Sequence, residues 1–164
     1  NEVHKIIPNT QLLLAGNNMT KENNELSKLI DKYSISNQIK LLGYVEELNK
    51  VIEKCDLLLL TSKSEAFPLA IGEAMNNGIP CVASNVGDIK EIIGDTGYTF
   101  KINQYKKAVE YILILIHEKI NQKTKWIRRS KECRERISNN YNSKKIFDLL
   151  HNEFLSDFKM RLSK

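Results

Sequence analysis

Short apolar runs alternate along this chain with polar stretches that carry apolar residues at helical spacing. Residues 11–15 form an apolar run ending at Gly16. Residues 21–33 place Leu26, Leu29, Ile30 and Tyr33 three to four apart, the period of a helix buried along one face. Residues 39–42 form a second short strand, closed by Gly43. Residues 46–55 return to the helical period through Leu48, Val51 and Ile52. Residues 57–60 are four leucines in a row, as expected of a strand covered on both faces. Residues 68–77 read as a helix with Pro68 in its first turn and Asn77-Gly78 closing it. A fourth strand over 80–83, a short helix over 88–93 and a fifth strand over 97–101 follow. The alternation then stops, and residues 104–119, 123–139 and 143–162 all read as helices.

Strands separated by helices imply right-handed crossovers. The fold class is therefore α/β, a Rossmann-like parallel sheet with helices on both faces and a helical C-terminal tail. Open sheets of this kind bind ligands at the carboxyl ends of their strands. Here those ends carry Gly16-Asn17, Gly43-Tyr44, residues 61–67 and residues 84–88.

Composition narrows the class without naming a function. At 164 residues, 41% hydrophobic and 27% charged, the chain has the composition of one globular domain. Scarce Gly and Pro exclude collagen-like and low-complexity chains. The apolar runs are far too short for a membrane span. Residues 1–4 carry no signal segment and read as the interior of a longer chain. Cys55, Cys81 and Cys133 lack the spacing of a zinc or redox motif and read as small core residues in a reducing compartment. His4, His117 and His151 have no ligand neighbours at metal spacing, so no metal site is expected.

The net charge of +5 hides an asymmetry. Residues 1–100 hold 9 basic and 13 acidic residues; residues 101–164 hold 16 and 7. Solvated helices explain such a bias, and so does a basic face toward anionic lipid or another domain. No nucleic-acid motif accompanies it.

The chemistry concentrates in residues 57–91. A buried strand ends in the loop Thr61-Ser62-Lys63-Ser64-Glu65, and a helix begins near Pro68. The amides of Leu69 and Ala70 are unpaired at such a helix start, where the positive end of the dipole makes an anion site. Glu65 precedes the helix and Glu73 lies one to two turns in. Carboxylates beside a phosphate suit hydroxyl donors, so a sugar or ribose is their natural partner. Taken alone, the two glutamates read more readily as a dipole-complementing acid and a solvated helix residue than as a site.

The full string decides between these. Ser62, Glu65-Ala66-Phe67-Pro68-Leu69, Glu73-Ala74-Met75, Gly78-Ile79-Pro80, Val82-Ala83-Ser84 and Val86-Gly87-Asp88 resemble the C-terminal nucleotide-sugar-binding domain of the retaining family 4 glycosyltransferases, which have the two-Rossmann-domain GT-B fold. Residues 8–16 resemble that family's first strand, and residues 39–45 the strand before its Gly-Tyr-Val loop. The likeness covers about residues 5 to 150.

The resemblance implies a hexosyltransferase of polysaccharide biosynthesis that moves sugar from a nucleoside diphosphate donor to a glycan or lipid-linked acceptor, without a metal or other cofactor. Glu65 would be the catalytic residue and would bind donor-sugar hydroxyls, with Glu73 on the ribose. Pro68 would open the helix, and the amides of Leu69 and Ala70 would hold the diphosphate. Gly43, Tyr44 and Val45 would lie near the base, Gly16 and Asn17 at the rim, and Phe67 as a wall of the sugar pocket. The chain would be the single donor-binding domain, with the acceptor-binding N-terminal domain and the diphosphate-neutralising Arg and Lys upstream of it. Its place would be cytoplasmic, with peripheral contact at the inner face of the cell membrane as one arrangement.

Ala66, Gly72 and Asp88 depart from the pattern; Ala66 puts a methyl group near the substrate and Asp88 a charge near the sugar. A sugar-nucleotide epimerase of the same fold, or a non-catalytic nucleotide-sugar-binding subunit, are the competing readings. The epimerase requires a catalytic His in the cleft, which this chain does not offer.

Overall fold

The computed structural model describes residues 1–65 and 68–141. In chain order the elements are α1 (Glu2–Ile6), β1 (Leu12–Ala15), α2 (Asn24–Lys32), β2 (Ile39–Gly43), α3 (Leu48–Ile52), β3 (Leu58–Leu60), α4 (Leu69–Asn76), β4 (Cys81–Ser84), α5 (Ile89–Ile93), β5 (Tyr98–Phe100), α6 (Tyr105–Asn121) and α7 (Lys123–Asn140). Every element expected over residues 11–139 is present. Helix α1 carries no periodic signal, because five residues make little more than one turn. The helix expected over 143–162 lies outside the described residues, as do Ala66 and Phe67.

All strand pairs are parallel, as the crossovers require. They fall into two hydrogen-bonded sheets, β1–β2 and β3–β4–β5, where the sequence pattern leads one to expect a single sheet. Strand β3 is only three residues long and its ladder runs to β4. Strand β1 pairs with β2 and shifts register between Leu14 and Ala15.

The alternation of side chains along β3 and β4 divides the core in two. Leu58, Leu60, Cys81 and Ala83 face one cluster with Ile52, Ile71, Ala74, Met75, Ile89, Ile92, Ile93 and Cys133. Leu57, Leu59, Val82 and Tyr98 face the other, with Ala108, Ile112 and Leu115 of α6. The leucine run is thus covered on both faces, by α3, α4, α5 and α7 on one side and α6 on the other. Each buried Ile or Leu contributes about 1.5–3 kcal/mol. Cys81 and Cys133 are buried and Cys55 half-buried, all three as free thiols.

Helix α7 is fixed by charge as much as by packing. Its buried Arg129 makes a bidentate pair with buried Glu118 of α6, Nε to Oε1 at 2.6 Å and Nη2 to Oε2 at 2.9 Å. Lys125 adds a contact to Oε2 at 3.0 Å. The remaining arginine nitrogen, Nη1, donates to the Thr96 carbonyl at 3.1 Å. Arg134 Nη1 donates to the carbonyl of Asn77 at 2.7 Å, just past α4. Arg136 Nε donates to that of Ile92 at 2.7 Å, and its Nη2 to that of Glu91, at the end of α5. Helix C-termini carry unpaired carbonyls and partial negative charge, so a guanidinium satisfies both needs. Two glycines in left-handed backbone make room: a Cβ on Gly78 (φ +74°) would lie 2.1 Å from Arg134 Nη1, and one on Gly94 (φ +53°) 2.4 Å from Arg136 Cζ. Part of the C-terminal basic excess is therefore spent inside the fold.

Removing Arg129 would strand a buried carboxylate. Arg129→Ala is expected to cost about 3–5 kcal/mol in chemical denaturation. The Arg129 hydrogen bonds hold the Glu118 carboxyl below its ordinary value of 4.5, against the opposing effect of burial. Its contribution is therefore full above pH 4.5 and is lost as pH falls below that. Glu118→Gln should lower stability at neutral pH and flatten its loss below pH 4.5, read from denaturation midpoints across pH 3–7.

Candidate functional site

Strand β3 delivers the loop of residues 61–65 to the carboxyl edge of its sheet, and α4 carries the chain back. Pro68 is the N-cap of α4 and its side chain makes no capping bond. The Pro68 carbonyl takes the amide of Ile71 at 3.0 Å and that of Gly72 at 3.4 Å. The amides of Leu69 and Ala70 have no intrahelical acceptor, and Leu69 is 72% exposed. Among the described residues no side chain caps this helix start, and Leu69 in its first turn is exposed beside the loop.

Glu65 and Glu73 flank this start in different states. Both are half-buried. Glu65 Oε1 accepts the Ser62 hydroxyl at 2.6 Å. The carbonyl of Ser62 in turn accepts the hydroxyl of Ser84 at 2.6 Å, from the end of β4. Glu73 lies four residues after Leu69 and three after Ala70, which places all three on one side of α4. Its Oε2 is sealed from solvent and finds no hydrogen-bond partner among the described residues. An orphaned carboxylate oxygen of this kind calls for a donor that the described residues do not supply.

The loops after β1 and β2 form a second group. The Gly16 amide donates to the Gly43 carbonyl at 2.8 Å, and the Gly43 amide to the Met19 carbonyl at 2.9 Å. Asn17 is exposed, Val45 half-buried, and Tyr44 75% exposed. Next to this group a polar cleft of about 450 Å³ is lined by Asn18, Thr20, Glu22, Asn23, Asn24 and Glu25. A hydrogen bond from Thr20 holds the Glu22 carboxyl below the usual range.

The structure therefore assembles the expected residues as two clusters, one of Gly16, Asn17, Gly43, Tyr44 and Val45, the other of Glu65, Pro68, Leu69, Ala70 and Glu73. Among the described residues no hydrogen bond joins them. Phe67 lies outside the described residues. Among the described residues, no three His, Cys, Asp or Glu side chains come together as metal ligands. No described helix is long and apolar enough to cross a membrane. Ser84, the residue that sequence spacing misses here, sits 22 positions from its partner. The sequence shows it as a hydroxyl closing an apolar strand within the resembling string, without showing its bond to the loop.

Comparison with known proteins shows the family and the fold. Residues 2–133 match the family model of glycosyl transferases group 1. The chain is 27% identical over 154 residues to an N-acetyl-alpha-D-glucosaminyl L-malate synthase of Bacillus anthracis, covering 91% of this chain and 39% of that protein. It is 22% identical to an Escherichia coli UDP-Gal:alpha-D-GlcNAc-diphosphoundecaprenol alpha-1,3-galactosyltransferase, covering 93% and 38%. The chain thus spans about two fifths of the length of these relatives. Anabaena HepE, solved in complex with UDP-glucose, shares the fold with a TM-score of 0.76 at 22% identity, covering 91% of this chain and 42% of that one.

Proposed function

We propose, from the premise that this chain belongs to the glycosyl transferases group 1 family, that it is the donor-binding domain of a retaining hexosyltransferase. The donor is a nucleoside diphosphate sugar and the acceptor a hydroxyl on a glycan or lipid-linked substrate, held mainly by a second domain. The observation that carries this reading is half-buried Glu73, whose Oε2 has no partner among the described residues, one turn inside a helix start with no side-chain cap among them. A ribose hydroxyl is a donor suited to the half-buried Glu73 carboxylate, and a diphosphate is an anion suited to the amides of Leu69 and Ala70.

In this reading the sugar lies over the loop, with its hydroxyls on Glu65. The bond between the anomeric carbon and the phosphate oxygen breaks, and the electron pair leaves with the diphosphate. The acceptor oxygen forms the new bond on the face the diphosphate leaves, and its proton passes to the departing diphosphate oxygen. Charge grows on the leaving diphosphate as the bond lengthens, and the α4 dipole and amides are fixed in place to meet it. The same carboxylates repel a bare phosphate, so the sugar and ribose are the parts they select. The Gly43–Val45 backbone lies toward the base and Gly16-Asn17 at the rim. The relatives' names support this direction: one acts with a UDP-galactose donor on a diphosphoundecaprenol acceptor.

Two outcomes test it. Ribose does not react, so its bonds are alike in ground and transition states, and Glu73→Ala in the complete enzyme should mainly raise the donor KM. Glu65 bonds tighten as charge develops at the sugar, so Glu65→Ala should mainly lower kcat. Each change should be about 10- to 150-fold, the worth of a hydrogen bond to a charged group. Donor-saturation kinetics in which both variants stay within twofold of wild type would sink the reading. Residues 1–164 alone should release nucleoside diphosphate no faster than buffer, because one wall of the cleft belongs to the second domain. Turnover by that fragment would overturn the two-domain division.

A further inference from the structure

We infer that Ser62 and Ser84 are positioning residues for Glu65, two hydroxyls in series that aim its carboxylate at the donor sugar; this rests on the reading above. Ser84 closes β4 and is 2% exposed, so its position is set by the sheet. Its hydroxyl donates to the Ser62 carbonyl at 2.6 Å, which ties the loop leaving β3 to the end of the neighbouring strand. The Ser62 hydroxyl donates to Glu65 Oε1 at 2.6 Å. Both bonds are at the short end of the O–H···O range, and the second ends on a carboxylate.

Among the described residues, these two side-chain bonds are what holds this loop. Among the described residues, no backbone–backbone hydrogen bond outside the strand ladder involves residues 62–65. Among the described residues Glu65 has no ion pair, and its one hydrogen bond is the Ser62 hydroxyl on Oε1. The carboxylate is therefore held by one oxygen, with the other left to accept from a ligand hydroxyl. A carboxylate free to rotate would lose the aim that catalysis by positioning demands. The series runs from a rigid strand to a loop to a reacting group, so the sheet itself sets the direction of Glu65. Both serines fall within the resembling string, yet their link joins positions 22 apart and is visible only in three dimensions.

The experiment uses the complete enzyme and follows nucleoside diphosphate release from UDP-glucose, UDP-galactose, UDP-N-acetylglucosamine and GDP-mannose, then works with the donor turned over fastest. Ser62→Ala should lower kcat about tenfold or more and leave the donor KM within twofold. Ser62→Thr, which keeps the hydroxyl, should recover most of the rate. Ser84→Ala should move kcat in the same direction by less, because it acts through one more bond. In a Glu65→Ala background, Ser62→Ala should change nothing further, since the carboxylate it positions is gone. A Ser62→Ala enzyme with wild-type kcat overturns the inference. So does an equal loss in the presence and absence of the Glu65 carboxylate, which would mark the serine as a structural residue of the loop. Wild-type kinetics in Glu65→Ala, or no turnover of any of the four donors, would instead overturn the donor-site reading itself.

Discussion

The grip of helix α7 on the carbonyl ends of its neighbours is the constraint on which the rest of the structure depends. Arg134 takes the carbonyl of Asn77, where α4 ends. Arg136 takes those of Glu91 and Ile92, where α5 ends. Arg129 takes that of Thr96 while locked onto Glu118. A helix is a stiff rod of about 1.5 Å per residue, so fixing the far end of α4 fixes the aim of its start. That start carries the unpaired amides and, one turn in, Glu73. The position of the candidate site is thus set from the opposite end of the helix, by a residue 57 positions away.

Packing alone would leave that aim loose. The faces of α4 and α5 that meet the sheet are Ile, Ala and Met, whose apolar attraction is non-directional. Charged hydrogen bonds with a preferred geometry do not slide. Gly78 and Gly94 belong to the same device, because any side chain there would occupy the guanidinium's place. The double cluster about β3 and β4 supplies the bulk of the stability, and the arginines supply the register.

The sequence makes some of this legible and hides the rest, for physical reasons. Strands and helices are readable because burial on one or two faces imposes a period, as at 57–60 or 21–33. The spacing of Glu65 and Glu73 around Pro68 is readable because it is local to one loop and one helix. The arginines of α7 are not: a helix with this much charge reads as a solvated face, and no local pattern distinguishes Arg134 on a distant carbonyl from Arg128 beside Glu132. The Ser84–Ser62 bond is hidden for the same reason, a long separation with no periodic trace. The division into two sheets is hidden because hydrophobicity specifies which faces are buried, whereas pairing between edges is a property of the backbone.

The unequal states of the two glutamates follow from where each is anchored. Glu73 rides on a helix held at its far end, so the point from which its side chain leaves the backbone is fixed. Its Oε2 lacks a partner among the described residues, and a ligand hydroxyl on this half-buried carboxylate offsets the cost of its burial. Glu65 rides on a loop with no described backbone bonding of its own, so a free carboxylate there would point in many directions. A serine hydroxyl on one oxygen restores direction and leaves the second oxygen for the ligand. Were the two arrangements exchanged, an untethered carboxylate on the loop would lose its aim and a fully satisfied one on the helix would offer no site. In the proposed reading this division matches the chemistry: the part of the donor that only binds meets the group held by the rigid helix, and the part that reacts meets the group whose aim is set separately, by the sheet.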